Sequence, residues 1–455
     1  MIRHFDRLRR LLGTAAGASL LALAFTIALP EAAYAVDPAD QAAYDAAFDQ
    51  MERDPGNSDK TLTYAEAAIK VGDFEGAIGA LERLLIFNPD LPSIQLEVGV
   101  LYYRLGSYDL ARTYLKQILS RTDLSDEVRA KANEYLARID ARMSPHHLSG
   151  NVTSGFRYQT NATYGPGGSG LSILGLGFPI PSNAAPKADA NFFGLGTVSY
   201  VYDFQQADPL TLESNLTMYG QKQFKQTQFD LSLTQLDVGP RFGLPSLIEG
   251  ASVRPYLVGD YLSLGGSHFF SSYGGGINGF TPVIDRLTLQ ANFEIQDRQY
   301  YTDPARPLIE SRTGDFISIR LLPNYALADN QLLGLLGEFD RTLAVQGYER
   351  MSQYVLGPNY QIRFSSPVPQ TGLIRPWTGT VSFTHAWRHY GEPEAIVDPV
   401  NTRTDSEFDL GGTLEIGVVD GFSTLLQVQK SWVNSNIPNY GYTNLVGIVA
   451  ASFTF

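Results

Sequence analysis

The sequence predicts an α+β chain of two parts: an N-terminal α-helical solenoid, then an antiparallel transmembrane β-barrel of about fourteen strands. Three observations predict it. An apolar leader stands ahead of the rest. Apolar residues then recur at helical spacing up to about residue 143. From Leu148 onward they recur at every second residue, in a background rich in Gly, Tyr, Phe, Thr, Ser and Asn.

In the leader, Arg3, Arg7, Arg9 and Arg10 precede the apolar run "LLGTAAGASLLALAFTIALP", and Ala33-Tyr34-Ala35 follows it. A charged start, an apolar middle and a small-residue end make a secretory signal peptide over residues 1–35. The exported chain has no cysteine. It therefore has no disulfide, no thiolate metal site and no lipid-modified cysteine. Lys and Arg number 34 against 47 Asp and Glu, a net charge of −13. That balance argues against a nucleic-acid partner, which would want a basic face. No later stretch approaches about 18 consecutive apolar residues, so any further crossing of a membrane falls to strands.

Residues 36–143 form the helical part, and it carries an internal repeat. "VGDFEGAIGALERLLIFNPD" (71–90) aligns with "LGSYDLARTYLKQILSRTDL" (105–124). Gly72 matches Gly106, Phe74 matches Tyr108, Ala77 matches Ala111, Leu81 matches Leu115 and Leu85 matches Leu119. The pattern resembles the tetratricopeptide repeat, whose paired helices need a small residue where they cross. Pro89 stands where that repeat places its proline, while the second repeat lacks one. Helices near 40–53 and 126–142 are expected to cap the stack. Leu96, Tyr103 and Tyr108 are the candidates for a client-binding groove.

Residues 144–455 form the barrel. Period-two segments run over 148–160, 191–204, 210–224, 229–243, 251–265, 271–284, 286–300, 314–328, 331–345, 352–366, 377–391, 403–419, 422–435 and 442–455. Each exceeds the roughly 9–11 residues that a tilted strand needs to span a bilayer. A soluble barrel would bury its apolar phase, whereas a membrane barrel turns it outward and keeps a polar lumen. The polar rows favour the membrane solution. Gln290, Asn292, Glu294, Gln296 and Arg298 form one such row, opposite Leu289, Ala291, Phe293 and Ile295. The candidates for the lumen wall are Glu294, Arg298, Arg320, Glu338, Asp340, Arg363, Glu407, Asp409 and Glu415. Their mixed signs give little indication of a steep charge filter. Connections alternate between short ones, such as "QQADP" and "VVDGF", and long ones over 161–190, 301–313 and 392–402. Short periplasmic turns and long outer loops give that asymmetry. An even strand count sets both strand ends, and with them the helical part, on the periplasmic side. On the last strand Leu445, Gly447, Val449, Ala451, Phe453 and Phe455 share the lipid-facing phase. Phe453 and Phe455 resemble the C-terminal signal read by the outer-membrane barrel assembly machinery.

Catalytic and metal motifs are not found. There is no G-x-S-x-G and no H-E-x-x-H. His385 and His389 are four apart, but on a strand of about 3.3 Å rise that is about 13 Å. Both lie on the phase of Val381, Phe383 and Trp387, the expected lipid face. Ser382 and Thr384 lie on the opposite phase, so no dyad forms within that strand. The chain is expected to be no enzyme and to need no cofactor or metal.

One family resembles the whole layout. The segments "LEVGVLYYRLGSYDLARTYLKQIL", "ANEYLARIDARM" and "LSGNVTSGFRYQTNATYGP" are similar to those of the surface lipoprotein assembly modifiers. Tyr158 and Asn161 match the end of that family's first strand, and Gln159 and Thr160 depart from it. The resemblance implies a periplasmic tetratricopeptide domain, a fourteen-stranded barrel in the outer membrane of a Gram-negative cell, and export or surface display of a protein client such as a lipoprotein. A polysaccharide export porin and a passive diffusion porin are the alternatives. The expected partners are that client, outer-membrane lipids and the barrel assembly machinery.

Overall fold

The computed structural model describes residues 38–455 apart from 55, 169, 183 and 369–374. The expected signal peptide, 1–35, lies outside the described residues. The chain divides into two compact units, one ending at Pro145 and one beginning at His146.

Among the described residues the first unit has six helices: α1 Pro38–Arg53, α2 Ser58–Val71, α3 Phe74–Phe87, α4 Pro92–Arg104, α5 Tyr108–Leu119 and α6 Asp126–Arg142. Their ends follow local chemistry. Asn57 accepts from the backbone N–H groups of Asp59 and Lys60 and so caps α2. Asp73 caps α3 through the Gly76 N–H. Pro92 opens α4, where its missing N–H is harmless. The turns between α2 and α3 and between α4 and α5 both use a left-handed glycine, Gly72 at φ 85 and Gly106 at φ 74. The sequence repeat is thus a repeat of helical hairpins. One apolar cluster joins α1 to α4 through Ala47, Ala68, Ala77, Leu81, Val98 and Leu101. A second joins α4, α5 and α6 through Leu96, Ala111, Leu115, Ile118 and Ile139.

The second unit is a closed antiparallel barrel of fourteen strands. They are β1 His146–Gln159, β4 Asp189–Asp203, β5 Leu210–Gln223, β6 Leu231–Gly243, β7 Ser252–Leu264, β8 Ser267–Ile284, β9 Leu287–Tyr300, β10 Gly314–Ala328, β11 Gln331–Ala344, β12 Met351–Phe364, β13 Trp377–Tyr390, β14 Thr404–Val419, β15 Phe422–Ser435 and β16 Tyr442–Thr454. Each expected period-two segment overlaps one of them. A small hairpin, β2 Leu171–Ile173 and β3 Leu176–Phe178, stands in the long connection after β1.

Closure is made between β1 and β16, in register from Asn151↔Thr454 to Gln159↔Val446. Backbone bonds between Gly150 and Phe455, at 2.9 and 3.0 Å, extend the seam to its end. The approach is tight, for a Cβ on Gly155 would lie 2.2 Å from the Val449 carbonyl oxygen. On the inner side Asn151 Nδ2 donates to Ser452 Oγ at 2.8 Å, and Thr153 Oγ1 lies 2.9 Å from the same oxygen.

The phases separate as a membrane barrel requires. Leu410, Val428, Trp432, Leu445, Val449 and Phe453 are exposed on the outer wall. Glu407, Asp409, Gln427, Gln429 and Ser431 are buried inside it. Two differences from the sequence expectation stand out. Strand β8 begins at Ser267 rather than near 271, because Gly265 and Gly266 turn the chain at once with φ 59 and 84. Two positive-φ residues suit the right-handed twist of a hairpin. Nor is the lumen polar throughout. Near the loop end Phe193, Leu231, Leu262, Leu264, Phe269 and Tyr300 fill one sector, joined by Tyr164, Phe229 and Ile309 from the connecting loops.

Ala111 has no exposed surface. Ala111→Glu sets an unpaired charge in the α4–α6 cluster, a change that costs about 3–5 kcal/mol. The isolated fragment 37–143 is expected to melt markedly lower by circular dichroism. An unchanged melting curve contradicts the packing described.

Candidate functional site

The inward phase of β9 to β14 builds a charged wall. Glu294, Arg298, Arg320, Glu338, Asp340, Glu407 and Asp409 line a lumen cavity of about 470 Å³. A second cavity, of about 300 Å³, lies beside it. The two share Gln235, Asn292, Glu294 and Arg320, which form the neck between them. Arg363 and Glu415 also stand on the inward phase, but outside that lining. Both register with Thr378, toward the end of the short turns.

Most arginines of the wall are tied to carboxylates. Arg320 Nε donates to Glu338 at 2.6 Å. Arg388 donates to Glu407 at 2.6 Å and to Gln353 at 2.6 Å, and Gln353 Nε2 donates to Asp340 at 2.9 Å. Arg403 holds Asp405 at 2.6 Å while its guanidinium lies 3.4 Å above the Tyr440 ring. Across the lumen Arg254 pairs with Asp237, and Arg241 with Glu213 at 2.6 Å. Four carboxylates are instead held by neutral donors. Asp260 accepts from Ser272 and Gln296, and Glu294 from Tyr256 and Gln296. Asp340 accepts from Gln353, and Asp409 from Ser431, Gln429 and Thr384. Arg298 donates to Gln296 and lies 3.4 Å above the Phe316 ring.

The connection after β1 folds onto this interior. Asn161 holds it, accepting from the Gly165 N–H and donating to the Gly165 carbonyl, each at 2.9 Å. This sets Tyr164 inside, edge-on to Tyr442 at 5.6 Å, and burial pushes its hydroxyl above the usual tyrosine range. Leu174 and Gly175 of the small hairpin donate to Ile396 and Val397 of the connection after β13.

The groove candidates need correction. Leu96 is buried in the α4–α6 cluster and lines no groove, because its helical phase points at Leu115 and Ile118. Tyr103 and Tyr108 are half-buried. Their rings lie 5.7 Å apart, and Tyr135 meets Tyr103 edge-on at 5.3 Å. One unforeseen joint holds the two helical hairpins together. Glu82 of α3 accepts from Tyr102 at 2.9 Å and from Tyr114 at 2.7 Å, and burial with that carboxylate raises both hydroxyls.

Several lumen residues escaped the sequence reading, chiefly Asp260, Arg254, Arg388 and Asp405. Their signal was phase alone: Asp405 shares the phase of Glu407 and Asp409, and Arg388 that of Thr384. Phe453 and Phe455 lie on the outer wall, stacked at 6.1 Å. Among the described residues no group of three or more His, Cys, Asp and Glu could hold a metal.

A closed barrel with an apolar outer wall and a charged interior has the architecture of a membrane-spanning β-barrel. No protein-family model matches the chain, and no curated protein sequence does. Among solved structures it is similar to OpdL of Pseudomonas aeruginosa, with 9% identity and a TM-score of 0.31 over 68% of this chain and 98% of that one. It is similar to the outer membrane channel DcaP of Acinetobacter baumannii, with 7% identity and a TM-score of 0.38 over 68% of this chain and 97% of that one. PcrH, in complex with the chaperone binding region of PopD, has 16% identity and a TM-score of 0.21 over 29% of this chain and 96% of that one.

Arg388→Met removes the cation from buried Glu407. The folded barrel is expected to lose about 3–5 kcal/mol, read as an earlier urea midpoint for loss of the heat-modifiable form. Arg388→Met with Glu407→Met is expected to recover most of it. A single variant as stable as the wild type refutes the pairing.

Proposed function

We propose that this chain is an outer-membrane channel for small hydrophilic solutes, with a tetratricopeptide-like helical domain in the periplasm as an interaction module. The observation that carries the reading is the pair of adjoining, charge-lined cavities inside a closed barrel. Their volumes suit a small solute, and the apolar sector beside them narrows the lumen further. The four carboxylates with neutral partners outnumber Arg298, whose own partners are neutral, so the wall's net field is negative and favours cations over anions. Liposome swelling in small neutral sugars tests the channel, and the reversal potential in a potassium chloride gradient tests the sign. Swelling and a cation preference are expected. Liposomes that stay closed to the smallest sugars rule the channel out.

A second reading is favoured by the repeated helical hairpins and by the half-buried tyrosines Tyr103, Tyr108 and Tyr135. Repeat stacks are recognition surfaces. In it the helical domain recruits a protein client, such as a lipoprotein, for surface display, as the resemblance to the surface lipoprotein assembly modifiers implies. The barrel assembly machinery would insert the chain by its last strand, with Phe453 and Phe455 as the signal. Surface labelling of lipoproteins in cells carrying the full chain or the barrel alone, 144–455, distinguishes the readings. Display that needs the helical domain supports the second one. Identical surface profiles, with swelling intact, leave the channel reading alone.

A further inference from the structure

The outer wall carries a contact that neither reading uses. His385 of β13 faces outward, and its Nε2 lies 2.8 Å from Ser406 Oγ of β14. No dyad could form along one strand, but the register brings these two together diagonally: His385 pairs with Phe408, and Ser406 with Trp387. The imidazole is held on two sides. It stacks on Phe408 at 3.9 Å and meets Trp387 at 3.8 Å. On the other flank Ser406 registers with Asn434 of β15, an exposed residue of the same outward phase. Directly opposed side chains on one face stand about 4.5–5.5 Å apart at Cβ, so Asn434 is the direct cross-strand neighbour of Ser406.

The height of this row matters. Trp387, Phe408 and Trp432 form an outward aromatic group near the loop end of the barrel. Such residues mark the membrane interface, which is where the ester bonds of membrane lipids lie. A base, a hydroxyl and an amide donor are thus set side by side on the wall that lipid touches.

We propose that Ser406, His385 and Asn434 form an esterase site for glycerophospholipids on the outer wall of the barrel. In the tautomer with hydrogen on Nδ1, His385 Nε2 accepts the Ser406 proton as Oγ bonds to the ester carbonyl carbon. The Asn434 amide donates to the oxyanion that forms. Collapse breaks the bond to the glycerol oxygen, and His385 gives its proton to that leaving alcohol. Water, losing a proton to His385, then attacks the acyl-Ser406 ester, and as the bond to Oγ breaks His385 returns that proton to Ser406 and the fatty acid is released. The sum is one ester and one water giving one alcohol and one acid. Trp387 and Phe408 act as positioning residues, since they fix the plane of the imidazole.

The test uses the purified full-length protein in vesicles of dipalmitoyl phosphatidylcholine, with released palmitate as the readout. A fluorophosphonate probe is added to a parallel sample, and the labelled peptide is mapped. Palmitate release and a label on Ser406 are expected. Ser406→Ala and His385→Ala should each lower release at least 100-fold, the scale of a lost general base, and Asn434→Ala by about 100-fold. Each variant is first scored for the heat-modifiable folded form. The wild type decides the matter even where a variant fails to fold. No palmitate above empty vesicles and no label on Ser406 overturns the proposal, as does unchanged release by Ser406→Ala.

Discussion

Everything in the second unit depends on the backbone polar groups having no water to turn to. Inside hydrocarbon an unpaired N–H or carbonyl costs several kcal/mol, so a sheet that crosses a bilayer must have no edge. Strands β1 and β16 meet that demand, from Asn151↔Thr454 to Gln159↔Val446. Gly155 allows the close approach there. Once the sheet is closed, each strand has one face for lipid and one for the lumen. Period two along the chain becomes outside and inside.

The interior then has two solutions to one problem. On β9 to β14 the inward side chains are charged and bind one another, so the space between them can hold water. On β4 to β9, near the loop end, inward apolar groups pack as in a soluble core. A lumen built of both kinds is narrower than its strand number suggests, and its charged, open part lies to one side. The neck at Glu294 and Arg320 falls on the charged side.

The fold was largely legible, because two solvents on two faces impose strict alternation and a register slip would exchange them. Legibility failed where that contrast failed. Around β7 both Leu257 and Leu262 are apolar, although one faces out and the other in, so nothing in the sequence marked the filled sector. The Gly265-Gly266 turn was lost among other glycines. Phase placed Arg363 and Glu415 inside but not their height along the barrel, which depends on register. Register also made the contacts that sequence could not, such as Arg388 with Glu407 and His385 with Ser406. In the helical unit, spacing identified apolar positions without saying which would stay uncovered. Leu96 therefore looked available and is buried.

The seam also sets the order of events in assembly. Asn151 and Ser452, which bond across it, are separated by 301 positions of sequence. Loop closure of that span brings no reward until both ends are present, and such pairings form slowly. Before then the sheet is an open ribbon with two free margins, each able to capture a foreign strand. A chain joined in this way has a long, adhesive adolescence, and an escort that covers its margins would act where the danger of aggregation is greatest.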